Sequence, residues 1–349
     1  MAATSPMVRV LRLVQPWKLL APVELNAASS QGILLFSQHY FQHNILEAGA
    51  HWVDCPWRPV NNVNHTEGAF PEPVPFTGDK RIFIAEQFYN EDDASLRPLH
   101  RQYIRMCLDE LKDQPNAVNL ISAEYTGPLH FTRFWLQTIA EWEAETGRHP
   151  LIALSCTKDV QDAILADPIL NNVVDIIDIR YWHYNTEGLW APKGGGNLAP
   201  RQWMRKMKVG KTGFAEAYRA VREYRDRYPD KAVTFFSQQY PDYGWAILLA
   251  GGSAANVRID SDVLLADLPQ MRPVDGGRGC LALGSSQRGY VVYVQDGSLS
   301  LPVEPGRYAL YTIDRATGTV KLRQSATRLS GVFGVTDAHE GDVYWLQKR

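Results

Sequence analysis

One carboxylate in this sequence ends an apolar run that has the length of a buried strand. Glu124 ends the run that begins at Val118 and precedes a Thr-Gly-Pro breaker. In a parallel α/β sheet, side chains at the carboxyl ends of strands face the ligand crevice, where a carboxyl group can act as a general acid or base. Glu124 is therefore the first candidate for half of a hydrolytic pair.

Polar and aromatic side chains crowd the end of another predicted strand. Residues 178–184 read Asp-Ile-Arg-Tyr-Trp-His-Tyr, a mixture of hydrogen-bonding groups and ring faces that suits a sugar subsite. Trp182 or Tyr184 would stack on a pyranose ring, while Arg180 and His183 would bind hydroxyl groups. The alternative is an internal Asp178–Arg180 ion pair among core aromatic residues. The other candidate substrate contacts are His39, His43, Trp57, Asn62, Tyr125 and Gln239.

Histidine and glutamate recur every four residues at His39, His43, Glu47 and His51. On a helix, neighbours in this series would lie about 6 Å apart on one face, the spacing at which two imidazoles can share a metal ion. The segment follows a predicted strand directly, which favours a crevice-lining loop whose histidines contact substrate or are structural. We therefore predict neither a metal site nor a cofactor.

The composition is typical of a globular protein that binds a small neutral ligand. The chain has 349 residues, of which 45% are hydrophobic, enough for a packed core and two domains. Its 36 basic and 38 acidic side chains give a formal net charge of -2, and no Lys/Arg block indicates nucleic acid or an anionic membrane as a partner. The ten Trp residues suit stacking on sugar rings, although core packing explains them equally well. We expect a monomer with a carbohydrate ligand.

The cysteines and the N-terminal sequence do not define the compartment. The four cysteines, Cys55, Cys107, Cys156 and Cys280, lack the spacing of a disulfide framework or a zinc site. Charges and prolines interrupt the apolar stretch at residues 7–25, so it predicts neither a signal peptide nor a membrane span. The default expectation is a cytoplasmic protein, with a periplasmic or secreted location if the N-terminus is incomplete.

Short apolar runs alternate with longer amphipathic segments over the first two thirds of the chain, a pattern that predicts alternating strands and helices. The predicted strands lie at residues 33–37, 118–122, 151–155, 173–179, 232–236 and 256–259. The predicted helices lie at residues 96–111, 131–146, 160–165 and 214–228. Near-continuous apolar strands imply burial on both faces, as in a parallel sheet covered by helices.

The pattern changes after Pro269. Residues 271–277 resemble a linker, and from Cys280 the sequence predicts short strands at even spacing with Gly-containing turns between them. These strands lie at residues 290–295, 298–303, 307–314 and 319–323. We predict a small antiparallel β-sandwich here.

Four motifs resemble those of a known group of proteins. They are Gln-His-Tyr-Phe-Gln-His-Asn at 38–44, Ser-Ala-Glu-Tyr-Thr-Gly-Pro at 122–128, Asp-Ile-Arg-Tyr-Trp-His-Tyr at 178–184 and Ala-Gly-Gly-Ser at 250–253. Over about residues 30–349 the chain resembles an uncharacterised group of clan A glycoside hydrolase-like (β/α)8-barrel proteins. That group is similar in layout to apiosidase-type hydrolases, in which a small β domain of the collagen-binding type follows the barrel.

The resemblance implies a (β/α)8 TIM-type barrel with an acid/base Glu after strand four and a nucleophilic Glu after strand seven. If residues 33–37 form strand three, Glu124 follows strand four and takes the acid/base role. After the apparent strand seven the chain has Gln238-Gln239 instead of Glu. Asp242 is the substitute, as nucleophile or as base for a water, unless it only caps a turn. Asp178 and Glu86 are the reserve carboxylates.

A closed barrel needs eight strand-helix units, and the sequence predicts six. Residues 8–14 would add one irregular strand, so we expect a barrel that lacks its first strands. The predicted domains are a divergent or truncated N-terminal segment at 1–31, a barrel catalytic domain at 32–270 and a β-sandwich at 271–349.

These inferences favour a glycoside hydrolase that cleaves an oligo- or polysaccharide by carboxylate acid/base catalysis. The first alternative is a non-catalytic carbohydrate-binding protein, which the two glutamines and the missing strands favour. The second is a metal-dependent hydrolase built on the histidine repeat. Nucleotide binding and esterase activity are not indicated, because neither a complete phosphate loop nor a Gly-x-Ser-x-Gly elbow is present.

Overall fold

The computed structural model describes residues 9–13, 27–40, 45, 52–62, 70, 85–122, 125–195, 212–236 and 243–349. These residues cluster into two compact units. One unit contains the described residues within 8–212 and 230–232, and the other contains those within 213–229 and 233–349. The units differ from the predicted domains in the placement of residues 213–229 and 233–270, and the predicted limits stay a prediction. No described helix is both long and apolar enough to cross a membrane.

The described residues include a six-stranded sheet. Its strands are β1 (Arg9–Leu13), β2 (Ile33–Gln38), β3 (Ala117–Leu120), β4 (Leu151–Leu154), β5 (Ile176–Ile179) and, after a β6–β7 hairpin (His183–Asn185 and Gly188–Trp190), β8 (Ala232–Phe235). The order in the sheet is β1-β2-β3-β4-β5-β8, which is the chain order, and the pairs from β1 to β5 are parallel. β8 joins through Ala232, whose N–H donates to the carbonyl of Asp175 at 3.0 Å.

Helices lie between these strands in the chain, and the apolar periodicity predicts the three longest of them. They are α1 (Ala85–Phe88), α2 (Leu96–Leu111), α3 (Leu129–Thr146), α4 (Lys158–Leu165) and α5 (Pro168–Asn171). α2 has the predicted bounds, whereas α3 starts earlier than predicted, because Pro128 occupies its N-cap position. α3 ends at Gly147, whose φ of 67° is the left-handed conformation that favours glycine. The parallel α/β half-barrel agrees with the predicted fold class.

Two of the predicted strands differ from the structure. Residues 8–14 were expected to form one irregular strand, and β1 is a regular strand that pairs in register with Ile33–Ser37 of β2. The strand predicted at 256–259 is wrong. The backbone of Asn256 packs closely against Gly244, and the N–H of Val257 donates to the carbonyl of Ala255 at 2.9 Å. A segment that forms a local backbone hydrogen bond and packs against the start of a helix does not pair with a strand.

The second unit combines three helices with antiparallel sheets. The helices are α6 (Phe214–Arg227), α7 (Gly244–Leu249) and α8 (Asp262–Asp267). The strands are β9 (Arg272–Val274), β10 (Cys280–Ser285), β11 (Gly289–Val294), β12 (Leu299–Pro302), β13 (Gly306–Ile313), β14 (Val320–Leu329), β15 (Val332–Val335) and β16 (Val343–Lys348). Among these residues, one sheet has the order β14-β13-β16-β11-β10-β9, and β12 pairs with β15.

The larger sheet has two buried faces. One face, with Ala282, Val292 and Leu346, packs against the β12–β15 pair and makes the predicted sandwich. The opposite face, with Val291 and Trp345, packs against side chains of α6, α7 and α8. The predicted linker is wrong at its centre, because Arg272–Val274 forms β9 and pairs with β10.

His149 connects α3 to the turn before β5, at the amino-terminal side of the parallel sheet. Its Nδ1 contacts the carboxylate of Glu143, and its Nε2 lies 2.9 Å from Oδ1 of Asp175. Desolvation alone would lower the pKa of His149, but hydrogen bonds and charge interactions with Asp175 and Glu143 outweigh it, so the pKa is raised. The folded chain therefore binds this proton more tightly than the unfolded chain does.

We expect this histidine to make stability depend on pH above neutrality. The stabilisation is fully present below the unfolded pKa of about 6.5 and is lost as the pH rises through the higher folded pKa. The loss should stay below about 1 kcal/mol, because the side chain is 51% exposed and solvent screens its charge. Urea unfolding between about pH 6 and 9 should show a shallower pH dependence for His149→Gln than for wild type. His339→Gln is the control, since that side chain is 84% exposed, and equal slopes for wild type and His149→Gln would contradict the assignment.

Candidate active site

The carboxyl ends of β2 and β3 meet at a pair of buried polar side chains. The ladder between these strands continues past the end of β3, because the N–H groups of His39 and Tyr40 donate to the carbonyls of Leu120 and Ile121 at 2.9 and 2.8 Å. The Ser122 hydroxyl donates to Oε1 of Gln38 at 3.2 Å, and both side chains are buried. Ser122 immediately precedes Ala123 and Glu124 in the chain.

Several predicted site residues lie outside the described part of the chain. Glu124, Asp242, Gln239 and His43 are in this group, as are Glu47 and His51 of the histidine repeat and the side chain of Glu86. Their roles stay predictions. The nearest described residues are Ser122 before Glu124 and Tyr125 after it, and both are buried.

His39 has both ring nitrogens engaged by the protein. The Trp135 indole N–H donates to Nδ1 at 3.0 Å, which leaves the proton of the neutral ring on Nε2, 3.1 Å from Oδ1 of Asn119. Burial lowers the pKa of His39 to about 4, against a smaller opposing effect of the Asn119 hydrogen bond. The neutral ring ties β2 to β3 and α3. Metal binding by His39 would break one of these hydrogen bonds, and direct sugar contact stays a prediction.

A second buried polar network joins the carboxyl ends of β4 and β5. Oδ2 of Asp178 accepts hydrogen bonds from Ser155 Oγ at 2.8 Å and from Arg180 Nε at 3.2 Å. The side chains of Asp178 and Arg180 are each 5% exposed. Gln161 of α4 donates to the carbonyls of Leu154 and Asp178 at 2.8 and 2.9 Å.

Trp182 belongs to the same network. Its indole N–H donates to Oε1 of Gln161 at 2.7 Å, and the Lys158 ammonium lies 4.8 Å from the ring centroid. Together with the Asp178–Arg180 pair, these contacts match the stated alternative of an internal ion pair among core aromatic residues. Direct sugar contacts by Asp178, Arg180 and Trp182 stay predictions.

The remaining described candidates occupy three other settings. Trp57 stacks on His100 with a centroid distance of 4.5 Å, and the Asn62 amide donates to the carbonyl of Pro56 at 2.8 Å within the same loop. The Tyr125 hydroxyl donates to the carbonyl of Pro128 at 3.1 Å. His183 is buried and faces Trp190 across the β6–β7 hairpin. Their roles as substrate contacts also stay predictions.

Gly194 and Gly195 dock onto the segment that follows Glu124. The N–H of Gly195 lies 2.9 Å from the carbonyl oxygen of Thr126 and 3.0 Å from that of Gly127. The N–H of Gly194 lies 3.1 Å from each carboxylate oxygen of Asp159 in the first turn of α4. These hydrogen bonds hold the two glycines in place. We refer to residues 191–195 as the strap.

We expect Gly194→Ala to weaken the docking of the strap. A Cβ at this position would overlap Val160 and lie 2.7 Å from Thr157 Oγ1, and overpacking of this kind costs about 1–3 kcal/mol. Gly306→Ala is the matched control, because its Cβ would meet its nearest neighbour at an ordinary 3.5 Å. Thermal unfolding checks this, and equal shifts in the two variants would show that the strap does not need glycine here.

Comparison with known protein families identifies the family of this chain. A family model described as a domain of unknown function, DUF6298, matches residues 17–271, which is most of the chain. The chain belongs to the DUF6298 family. None of the curated proteins matches it.

Solved structures give distant likenesses to this DUF6298 chain. One, a glycoside hydrolase, is 10% identical, with a TM-score of 0.49 over 96% of this chain and 78% of its own. The catalytic domain of GH30 xylanase C from Talaromyces cellulolyticus is 11% identical, with a TM-score of 0.47 over 94% and 79%. A Paenibacillus polymyxa xyloglucanase from GH family 44, solved with xyloglucan, is 8% identical, with a TM-score of 0.41 over 93% and 83%. At these scores the likenesses do not bear on the activity of this chain.

Four buried polar residues of the DUF6298 chain were not predicted as site residues. They are Asn119, Ser122, Ser155 and Gln161. The available signal is a polar residue that interrupts or directly ends an apolar run, as Asn119 does within β3. Within the described residues, no group of three His, Cys, Asp or Glu side chains is arranged to hold a metal ion.

Proposed function

We propose that this DUF6298 protein is a glycoside hydrolase. Glu124 acts as the general acid that protonates the leaving glycosidic oxygen, and a second carboxylate, Asp242, acts as nucleophile or as base for a water. The substrate is an oligo- or polysaccharide. The proposal joins the sequence resemblance to the geometry on either side of Glu124.

One observation carries the proposal: the chain is held by hydrogen bonds both before and after Glu124. On the N-terminal side, Ser122 bonds to Gln38 at the carboxyl ends of β3 and β2. On the C-terminal side, the carbonyls of Thr126 and Gly127 accept from Gly195 of the strap. A catalytic group has to be held to within about 0.5 Å of its productive position. Two anchors within three residues of Glu124 in the chain support its assignment as the catalytic acid.

The position of Asp242 in the chain is compatible with the second role. It comes after β8 and before α7, so it belongs to a strand-to-helix connection, the kind of loop that carries catalytic residues in α/β barrels.

Product release from a panel of polysaccharides tests the proposal. Wild-type protein should release sugars or oligosaccharides, detected by mass spectrometry, from at least one member of the panel. The anomeric configuration of the first product is then followed by NMR. Retention indicates two carboxyl groups about 5–5.5 Å apart, and inversion indicates a separation of about 6.5–9.5 Å. The absence of product from every glycan that the protein binds would overturn the proposal.

A non-catalytic carbohydrate-binding protein is the second candidate. Gln238 and Gln239 favour it, because they follow β8 where the resembled proteins carry a nucleophilic Glu. Binding on a glycan array without product release from the bound glycans selects this candidate. The same array identifies the sugars with which the product screen should be repeated.

A further inference from the structure

One half of the larger sheet in the second unit carries basic residues without acidic ones. Its three adjacent strands, β14, β13 and β16, contain no Asp or Glu in Val320–Leu329, Gly306–Ile313 and Val343–Lys348. Their basic residues are Lys321, Arg323, Arg328, Arg307 and Lys348, and Arg349 follows β16. The whole chain has a formal net charge of -2, so this positive charge is a local property.

Three of the arginines lie together on one face. Arg307 of β13 and Arg328 of β14 are directly opposite in the antiparallel register, and the N–H of Arg349 donates to the carbonyl of Arg307 at 2.9 Å. All three are exposed, and none forms an ion pair with a carboxylate among the described residues. Like charges directly opposite in a sheet are destabilising. Repulsion between Arg307 and Arg328 therefore lowers the stability of the sheet unless an anion neutralises their charge.

An aromatic platform adjoins these arginines on the same face. Tyr311 stacks on Trp345 with ring centroids 4.6 Å apart. The Tyr311 hydroxyl donates to Oε1 of Gln347 at 3.2 Å and lies 3.3 Å from a guanidinium nitrogen of Arg349. On the other side, Tyr311 pairs with Leu322 of the edge strand, whose side chain is 53% exposed. Arg307, Arg328, Arg349 and Tyr311 are called the arginine face below.

We propose that the arginine face binds an anionic polysaccharide through its uronic acid carboxylates. The planar guanidinium groups match the geometry of a carboxylate and pair with it by charge-assisted hydrogen bonds. Tyr311 offers a ring face and a polar tip for an adjacent sugar. Binding would also neutralise the repulsion between Arg307 and Arg328. The choice of a polysaccharide over another polyanion rests on the proposed function.

Calorimetric titration of the full chain with polygalacturonate tests this proposal. The titration uses the Glu124→Gln background, so that cleavage does not consume the probe. The Arg307→Ala/Arg328→Ala double variant should bind at least about 10-fold more weakly, because it loses two charge-assisted contacts. Its thermal midpoint should be unchanged or higher, because a repulsive pair is removed. Affinity of the unaltered face should fall as salt is raised.

Arg323→Ala is the matched control. Arg323 lies on the same strand as Arg328, at an irregularity in the pairing of β14 with β13, and its charge acts on Tyr344, which belongs to the opposite face of the sheet. This variant should bind within about 2-fold of the unaltered face, because it keeps all the proposed contacts.

Four results would overturn the proposal. They are no binding of polygalacturonate, undiminished binding by the double variant, an equal loss in Arg323→Ala, and tighter binding of duplex DNA of matched charge. The last result would assign the face to nucleic acid. Binding here does not need Glu124, and product release does not need these arginines, so failure of this proposal and failure of the glycosidase proposal can be told apart.

Discussion

Glu124→Gln is expected to lower the hydrolysis rate of a natural glycan by about 10²–10⁴-fold, the usual contribution of a positioned general acid. A natural leaving group is a sugar alkoxide, which departs slowly unless its oxygen is protonated. Glutamine has nearly the same shape as glutamate but carries no transferable proton. Product formation from the glycan found in the panel screen, followed at saturating and at low concentration, measures the loss.

Substrates with different leaving groups distinguish loss of the general acid from a general disruption of the site. An aryl glycoside with an activated leaving group needs little protonation, so Glu124→Gln should slow its cleavage much less than that of the glycan. The basic limb of the pH profile of kcat/KM should also disappear, since that limb reports the acid in the free enzyme. Glu187→Gln is the control, because Glu187 is exposed in the turn between β6 and β7. Near-wild-type turnover of both substrates by Glu124→Gln would remove the acid/base role.

Arg180→Met should destabilise the protein by about 3–5 kcal/mol, the cost of leaving one partner of a buried ion pair unpaired. The Asp178 and Arg180 side chains are each 5% exposed, so little water is available to solvate the remaining charge. Asp178→Asn should cost a comparable amount, although asparagine still offers Ser155 an acceptor. Urea unfolding of the single variants measures both losses.

The double variant Asp178→Asn/Arg180→Met tests whether the loss comes from the unpaired charge. Removing both charges should recover most of the stability lost in either single variant, because replacing a whole buried pair is often close to neutral. Arg101→Met is the control, as Arg101 pairs with Glu141 at the surface and the two side chains are 39% and 51% exposed. Its loss should stay below about 1 kcal/mol. Purely additive effects in the double variant would show that the pair acts through packing alone.

The four longest helices and most of the parallel strands were predictable because their signals are local. The apolar periodicity of α2 defines both of its ends, and the Thr-Gly stop defines the end of α3. The β9 segment was not predictable, because three residues containing a proline become a strand only when β10 lies beside them. The run at 256–259 has the composition of a strand, but packing against Gly244 prevents it from pairing.

The candidate site was predictable only as a set of strand ends. Sequence places Gln38, Ser122, Ser155 and Asp178 after or within apolar runs, which locates them at one edge of a parallel sheet. It does not say that Ser122 bonds to Gln38, 84 positions away, or that Trp135 bonds to His39, 96 positions away. Such partners depend on how helices lie over the sheet, which one sequence does not encode locally.

The strap has a consequence for changing what this protein recognises. Gly194 and Gly195 are held through their main-chain N–H groups, and two of the three acceptor groups, the carbonyls of Thr126 and Gly127, are main-chain atoms as well. Such an attachment depends little on the neighbouring side chains. A designer could therefore exchange the chain that follows Gly195 for a segment of another length and composition while the graft point at Gly195, bonded to Thr126 and Gly127, stays fixed.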